Sequence, residues 1–119
     1  MRTRFAITTT ALVLVGVAAP VAAHHGWSGY DASKLVRLEG TVQAAAFDNP
    51  HAQVTLRTEE RVYRLVLAPP SRMQARGLPA GSIKAEDRVT VEGYPHRQEA
   101  DEFRCERITV NGGQPVELR

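Results

Sequence analysis

The amino-acid sequence predicts an all-β domain, a small five-stranded OB-like barrel with one short helix between strands 3 and 4. Three observations lead to this prediction. Segments that alternate apolar and polar residues recur along the chain, and turn-forming residues separate them. The first such segment has Gly40 in its interior, which indicates a bend or a bulge. Five strands with a helix after the third are the element order of an OB-fold. A small open sandwich is the alternative.

The first 23 residues are predicted to be a signal peptide. A basic start at residues 1–4 precedes an apolar run, and the small residues at 21–23 form a cleavage site. The uncharged run over 5–23 approaches the ~20 residues that span a bilayer. It contains Pro20, however, and no basic flank follows it. We therefore expect cleavage after Ala23, a periplasmic or secreted product, and no stable membrane span in that product.

Residues 24–34 are predicted to be an irregular N-terminal arm whose aromatic residues pack onto the barrel, and residues 35–119 are predicted to be the OB-like domain. The first strand, over 35–44, places five residues on one face: Val36, Leu38, Gly40, Val42 and Ala44. Strands over 52–58 and 62–67 form a hairpin around Glu59 and Glu60. A helix is expected over 71–76, because proline precedes it and Gly77 follows it. The remaining strands are predicted over 88–94, 103–110 and 116–118.

The predicted mature chain carries no net charge. The whole sequence has 15 Lys and Arg against 13 Asp and Glu, and Arg2 and Arg4 leave with the signal. A nucleic-acid-binding domain needs a basic excess, so nucleic acid is not an expected partner. Cys105 is the only cysteine, so no disulfide can form within the chain. We expect Cys105 to be a small buried apolar residue.

Cleavage after Ala23 would make His24 the first residue of the mature protein. The α-amine and Nδ1 of a first histidine chelate a metal, and one further imidazole gives three nitrogen donors, a set that suits Cu(II). The amine has a pKa of about 8, so a metal displaces its proton at neutral pH. A second mode uses the amine, the deprotonated backbone amide and the imidazole of His25. A solvated chain end without metal is the alternative.

The other two histidines of the chain each follow a proline, His51 after Asn49-Pro50 and His96 after Pro95. Proline restricts its own backbone and that of the residue before it. Such rigid placement suits a metal ligand, and hydrogen bonding within a turn is the alternative for both. In an OB topology His96 lies near the start of the first strand and His51 near its other end. The arm can reach either histidine, but a site using all of them would be strained.

Several of these motifs together resemble a family of small exported bacterial proteins that is known only as a domain of unknown function. The motifs are His24-His25, Asn49-Pro50-His51, Leu67-Ala68-Pro69-Pro70-Ser71-Arg72-Met73 and Gly93-Tyr94-Pro95-His96-Arg97. The resemblance covers essentially the whole predicted mature chain. It implies an exported OB-like domain and no particular substrate. Carried over by position, it singles out His24, His25, Asn49, Pro50 and His51, and also His96.

The sequence therefore predicts a small exported metal-binding protein, with copper as the metal, that acts in periplasmic binding, storage or delivery. His24 and His51 are the expected ligands, and His25 and His96 are alternates. The other hypothesis is an OB-like module that recognises a protein or a small molecule through its Asn-Pro-His corner and aromatic arm, without metal or catalysis. The chain has no nucleophile elbow, phosphate-binding loop, CxxC or HExxH motif, so no enzyme class is indicated.

Overall fold

The structure, a computed structural model, describes residues 27–119. Within that range the chain forms six strands and one short α-helix: β1 (Val36–Ala46), β2 (Gln53–Arg57), β3 (Val62–Val66), α1 (Pro70–Ala75), β4 (Arg88–Pro95), β5 (Glu102–Val110) and β6 (Val116–Glu117). The predicted signal peptide and the first residues of the arm lie outside the described residues. In the described part, no helix is long and apolar enough to cross a membrane.

Five of the strands close into a barrel. The sheet runs in the order β3-β2-β1-β4-β5, and β3 also pairs with β5 in parallel, with Leu65 opposite Phe103. The other pairings are antiparallel, and β6 extends the sheet beside β5. The parallel β3–β5 pairing excludes the open sandwich. The predicted OB-like barrel, with a short helix between β3 and β4, is confirmed.

Alternating side chains of the strands fill the barrel. Leu56, Leu65 and Phe103 are almost completely buried, and burying each such side chain contributes about 1.5–3 kcal/mol to the free energy of unfolding. Helix α1 adds Met73 to the same core. Cys105 is also buried there, as expected, and this burial raises the pKa of its thiol far above the usual range. Cys105 is therefore a packing residue with no reactive thiolate.

Strand β1 departs from the predicted alternation after Val42. Val42 pairs with Leu56 but Ala44 pairs with Thr55, so a bulge falls at Gln43. Ala44 is consequently exposed, and Ala45 packs against the core in its place. The prediction that Ala44 faces inward was therefore wrong, because a bulge moves the following side chains to the other face.

Gly40 allows β1 and β2 to approach each other closely. A Cβ at Gly40 would lie 2.3 Å from the carbonyl oxygen of Arg57 on β2, a separation that no real side chain tolerates. The predicted irregularity of this strand is thus confirmed, but the bulge itself lies three residues further on.

The hairpin between β2 and β3 forms around Glu59 and Glu60, as predicted. Its turn is held by Thr58, whose Oγ1 accepts hydrogen bonds from the N–H groups of Glu60 (3.3 Å) and Arg61 (3.2 Å). The same hydroxyl donates to the Arg61 carbonyl at 2.8 Å. The threonine side chain therefore supplies the turn chemistry that two glutamates lack.

Candidate functional site

The described part of the arm is fixed to the end of β4. Tyr30 forms a β-bridge with His96, the Asp31 N–H donates to the Pro95 carbonyl at 2.9 Å, and the Arg97 N–H donates to the Gly29 carbonyl at 2.7 Å. Before this bridge, Trp27–Gly29 forms one 3₁₀ turn. The arm therefore packs onto the barrel as predicted, in a defined register that the sequence did not reveal.

Four aromatic rings, two from the arm and two from the barrel, lie between the arm and the barrel. We call them the aromatic cluster: Trp27, Tyr30, His51 and His96. The ring centroids lie 5.4 Å apart for Trp27 and His51, 5.9 Å for Trp27 and Tyr30, and 5.0 Å for Tyr30 and His96. The pairs are tilted or edge-to-face, which are favoured geometries for aromatic rings. The two histidines therefore contact the same short arm through different residues, although the sequence placed them at opposite ends of the first strand. Closure of the barrel brings them together.

His51 is held at the entry to β2. The Asn49–Pro50 peptide bond before it is cis. The residue after it, Ala52, extends the β2–β3 ladder, because its N–H donates to the Ala68 carbonyl and its carbonyl accepts from the Leu67 N–H, both at 2.9 Å. The imidazole is thus placed between a proline corner and a paired strand.

The electrostatics around His51 favour its neutral form. Burial lowers the pKa of His51, and the guanidinium charges of Arg104 and Arg72 lower it further. A neutral imidazole has a free lone pair on one nitrogen, which is the form that binds a metal.

His96 is engaged by the protein through both ring nitrogens. Its Nδ1 accepts hydrogen bonds from the backbone N–H groups of Gln98 (3.1 Å) and Glu99 (2.9 Å), and its Nε2 lies 3.4 Å from Oε2 of Glu102. A Cβ at Gly29 would lie only 2.9 Å from Nε2, so the arm covers this edge of the ring. The geometry fits the turn-stabilising alternative for His96, since a metal would have to displace these contacts.

Tyr30 and Glu102 fix the base of the cluster. The Glu102 carboxylate pairs with Arg64 on the neighbouring β3 strand. Burial of the Tyr30 ring, together with the charge of Glu102, raises the pKa of Tyr30 to about 12. Tyr30 is therefore a neutral, packed phenol at physiological pH, and it acts as a structural link between the arm and the barrel.

Arg104 is the residue at this site that the sequence did not point to. Its guanidinium carbon lies 3.3 Å from the centre of the Trp27 ring, and the residue is only 6% exposed. Burial is the main cause that lowers its pKa to about 10. Alternation along β5 predicts an outward, solvated position for Arg104. Trp27 packs over the guanidinium instead, and this contact joins residues that are distant in the sequence.

The remaining predicted ligands, His24 and His25, lie outside the described residues. Among residues 27–119, no group of three or more His, Cys, Asp or Glu side chains is arranged to hold a metal. Asn49 and Pro50 form the corner before His51, whereas Pro95 is the last residue of β4 and pairs with Phe103.

A closed OB-like barrel with an aromatic arm fixed across β4 thus defines the structural class. The chain belongs to a family of unknown function, DUF6152, whose model matches residues 11–103. The predicted resemblance to an uncharacterised domain family is confirmed. A comparison with curated proteins finds no match.

Proposed function

We propose that this protein is exported, that cleavage after Ala23 leaves His24 as its first residue, and that His24 and His51 together bind copper for periplasmic binding or delivery. The observation that carries the proposal is the contact between Trp27 and His51, whose ring centroids are 5.4 Å apart. This contact places the start of the described chain beside the histidine that the sequence selects as a ligand.

Chain length supports the pairing of His24 with His51. Three peptide units separate His24 from Trp27, and such a segment spans at most about 11 Å. The α-amine and imidazole of His24 are therefore tethered within reach of the His51 ring. The long arm assumed from the sequence is not needed, because the arm is fixed to the barrel from Trp27 onward.

The contacts of the two proline-linked histidines support the choice of His51 over His96. Nδ1 of His96 accepts two backbone hydrogen bonds, and its Nε2 faces Glu102. His51 makes an aromatic contact, and burial is the main cause that lowers its pKa, which favours the neutral form that binds a metal. A first histidine with one further imidazole gives the three nitrogen donors that suit copper.

A comparison of two forms of the exported protein tests this proposal. One form begins at His24, and the other carries a single additional residue before it. Each is titrated with Cu(II) and followed by EPR, and intact mass establishes the first residue. We expect tight, nitrogen-ligated binding by the first form and its loss in the extended form. Equal, weak binding by both, or an exported protein that begins elsewhere, contradicts the proposal.

The second candidate function is recognition of a small ligand without metal. It is favoured by a separate observation, the group of arginines beside Trp27.

A further inference from the structure

A cleft of about 240 Å³ lies beside the aromatic cluster, and we call it the arginine cleft. Three cationic side chains line it from different parts of the chain: Arg72 from α1, Arg104 from β5, and Arg119. The indole of Trp27 and the apolar residues Leu67 and Pro69 form much of the remaining wall. The proposed copper ligand His51 is not among the residues that line this cleft.

The three arginines of the cleft lack the salt bridges that five of the eight other arginines in residues 27–119 form. Elsewhere Arg61 pairs with Asp101, Arg64 with Glu102, and Arg107 with Glu92 and Glu117. Within residues 27–119, none of the three cleft arginines forms a salt bridge. The fold therefore collects like charges in one place and leaves them without carboxylate partners from the described chain.

Arg104 makes this arrangement costly for the isolated protein. The residue is more than nine-tenths buried, and a buried charge is unfavourable unless an opposite charge or hydrogen bonds compensate it. The face of Trp27 compensates in part through a cation–π contact. The charge of Arg119 acts against Arg104 and contributes to lowering its pKa to about 10.

Glu106 is the carboxylate whose charge favours the Arg104 guanidinium, but the two residues form no salt bridge. Oε2 of Glu106 is itself buried, with no hydrogen-bond partner in the described range. Glu106 does not line the cleft, so the wall that faces a ligand is cationic and apolar.

We propose that the arginine cleft binds a small oxyanion of the carboxylate or phosphate class. The planar fork of a guanidinium matches both groups through paired N–H donors. The volume lies below the roughly 300–1,000 Å³ of sites that hold drug-sized ligands, so the anion is small. This site goes beyond the proposed copper function and does not depend on it, since it uses other side chains.

Trp27 is the only tryptophan of the chain, so its fluorescence reports directly on this cleft. The exported protein is titrated with inorganic phosphate in one arm and with citrate and succinate in the other. Metal is removed beforehand on a chelating resin, so that no carboxylate chelator is present, and chloride keeps the ionic strength constant. We expect a saturable change with at least one oxyanion and none with chloride. Saturation by phosphate alone, or by the carboxylates alone, identifies the class.

Two variants that each remove one positive charge distinguish a specific site in the cleft from general attraction of anions to the protein's cations. Arg72→Gln removes an exposed guanidinium from the cleft, and we expect binding to weaken at least about tenfold, because hydrogen bonds to charged groups are strong. Arg88→Gln is the matched control, since Arg88 lines a different depression beside Glu39. Far-UV circular dichroism verifies that both variants are folded. The absence of any saturable change, or equal weakening by both variants, overturns the proposal.

Discussion

Two buried regions of the molecule, the barrel interior and the layer beneath the arm, differ in what fills them. The interior is apolar and is closed by strand pairing, as at Leu65 opposite Phe103. The layer beneath the arm holds imidazoles, a phenol and a guanidinium in contact with Trp27. The interior holds most of the fully buried apolar side chains, whereas the layer beneath the arm holds titratable and aromatic side chains. We therefore expect substitutions to separate the two regions into one that controls folding and one that controls binding.

The largest effect is expected where strands of the barrel approach most closely. A Cβ at Gly93 would lie 1.9 Å from the carbonyl oxygen of Arg104, so Gly93→Ala must force β4 and β5 apart. We expect a loss of at least about 4 kcal/mol in the free energy of unfolding, in the exceptional range for one substitution. Urea denaturation measures this.

Gly81→Ala is the matched control for this substitution. Gly81 has a φ of +87° but open space around its Cβ position, so we expect a loss of only about 1 kcal/mol. Equal stability losses for the two alanine variants would contradict the close packing of β4 against β5.

A smaller loss of stability is expected when one core side chain or one arm side chain is replaced by alanine. Leu56→Ala removes a completely buried side chain, and we expect a loss of about 2–5 kcal/mol. Trp27 is 41% exposed, so Trp27→Ala should lower the free energy of unfolding by about 1–2 kcal/mol, less than the loss of a buried tryptophan.

Trp27→Ala should nevertheless raise the pKa of His51 toward its ordinary value, because burial is the main cause of the lowering. NMR titration of the imidazole measures the change, and an unchanged pKa would show that Trp27 does not shield His51.

The lowered pKa of His51 predicts a weak dependence of stability on pH. Below pH 6.5, the ordinary pKa of histidine, His51 binds a proton in the unfolded chain but not yet in the folded protein. Stability should therefore fall as the pH decreases from 6.5 to the lowered pKa of folded His51. The pKa values of Asp31 and Asp87 are also lowered, from 3.8, so these two carboxyl groups affect stability only at more acidic pH. His51→Gln should flatten the pH dependence in the histidine range, and an unchanged slope in urea denaturation would contradict this assignment.

The smallest effect distinguishes the two proposed sites within the arm layer. The Arg72 charge acts on His51 and also lines the arginine cleft. Its removal should tighten Cu(II) binding about two- to fivefold, the scale of an exposed charge interaction, while oxyanion binding weakens. Both affinities are measured above the pH at which histidine titrates. Weakening of both affinities would indicate a general structural role for Arg72.

The sequence predicted the barrel well because alternation, glycines and prolines are local signals of local structure. Five strands, the hairpin at Glu59 and Glu60, and the helix before Gly77 all follow from such signals. The bulge at Gln43 could not be predicted, because it depends on how β1 pairs with β2.

The candidate site was predictable only in part, for the same physical reason. The Asn-Pro-His corner pointed to His51 from the sequence. The contact of Arg104 with Trp27 could not be predicted in this way, because the two residues are far apart in the sequence. The closeness of His51 and His96 to one arm likewise requires the closed barrel. Contacts that arise from closure leave no periodic signal in the chain.

Copper EPR on two histidine variants tests the central claim most directly. His51→Ala and His96→Ala are prepared in a form of the protein that begins at His24, and each is loaded with Cu(II). The account predicts that His51→Ala loses one nitrogen donor from the hyperfine pattern and binds more weakly, whereas His96→Ala keeps the spectrum of the parent protein. A spectrum unchanged by His51→Ala, or a donor lost in His96→Ala instead, would contradict it.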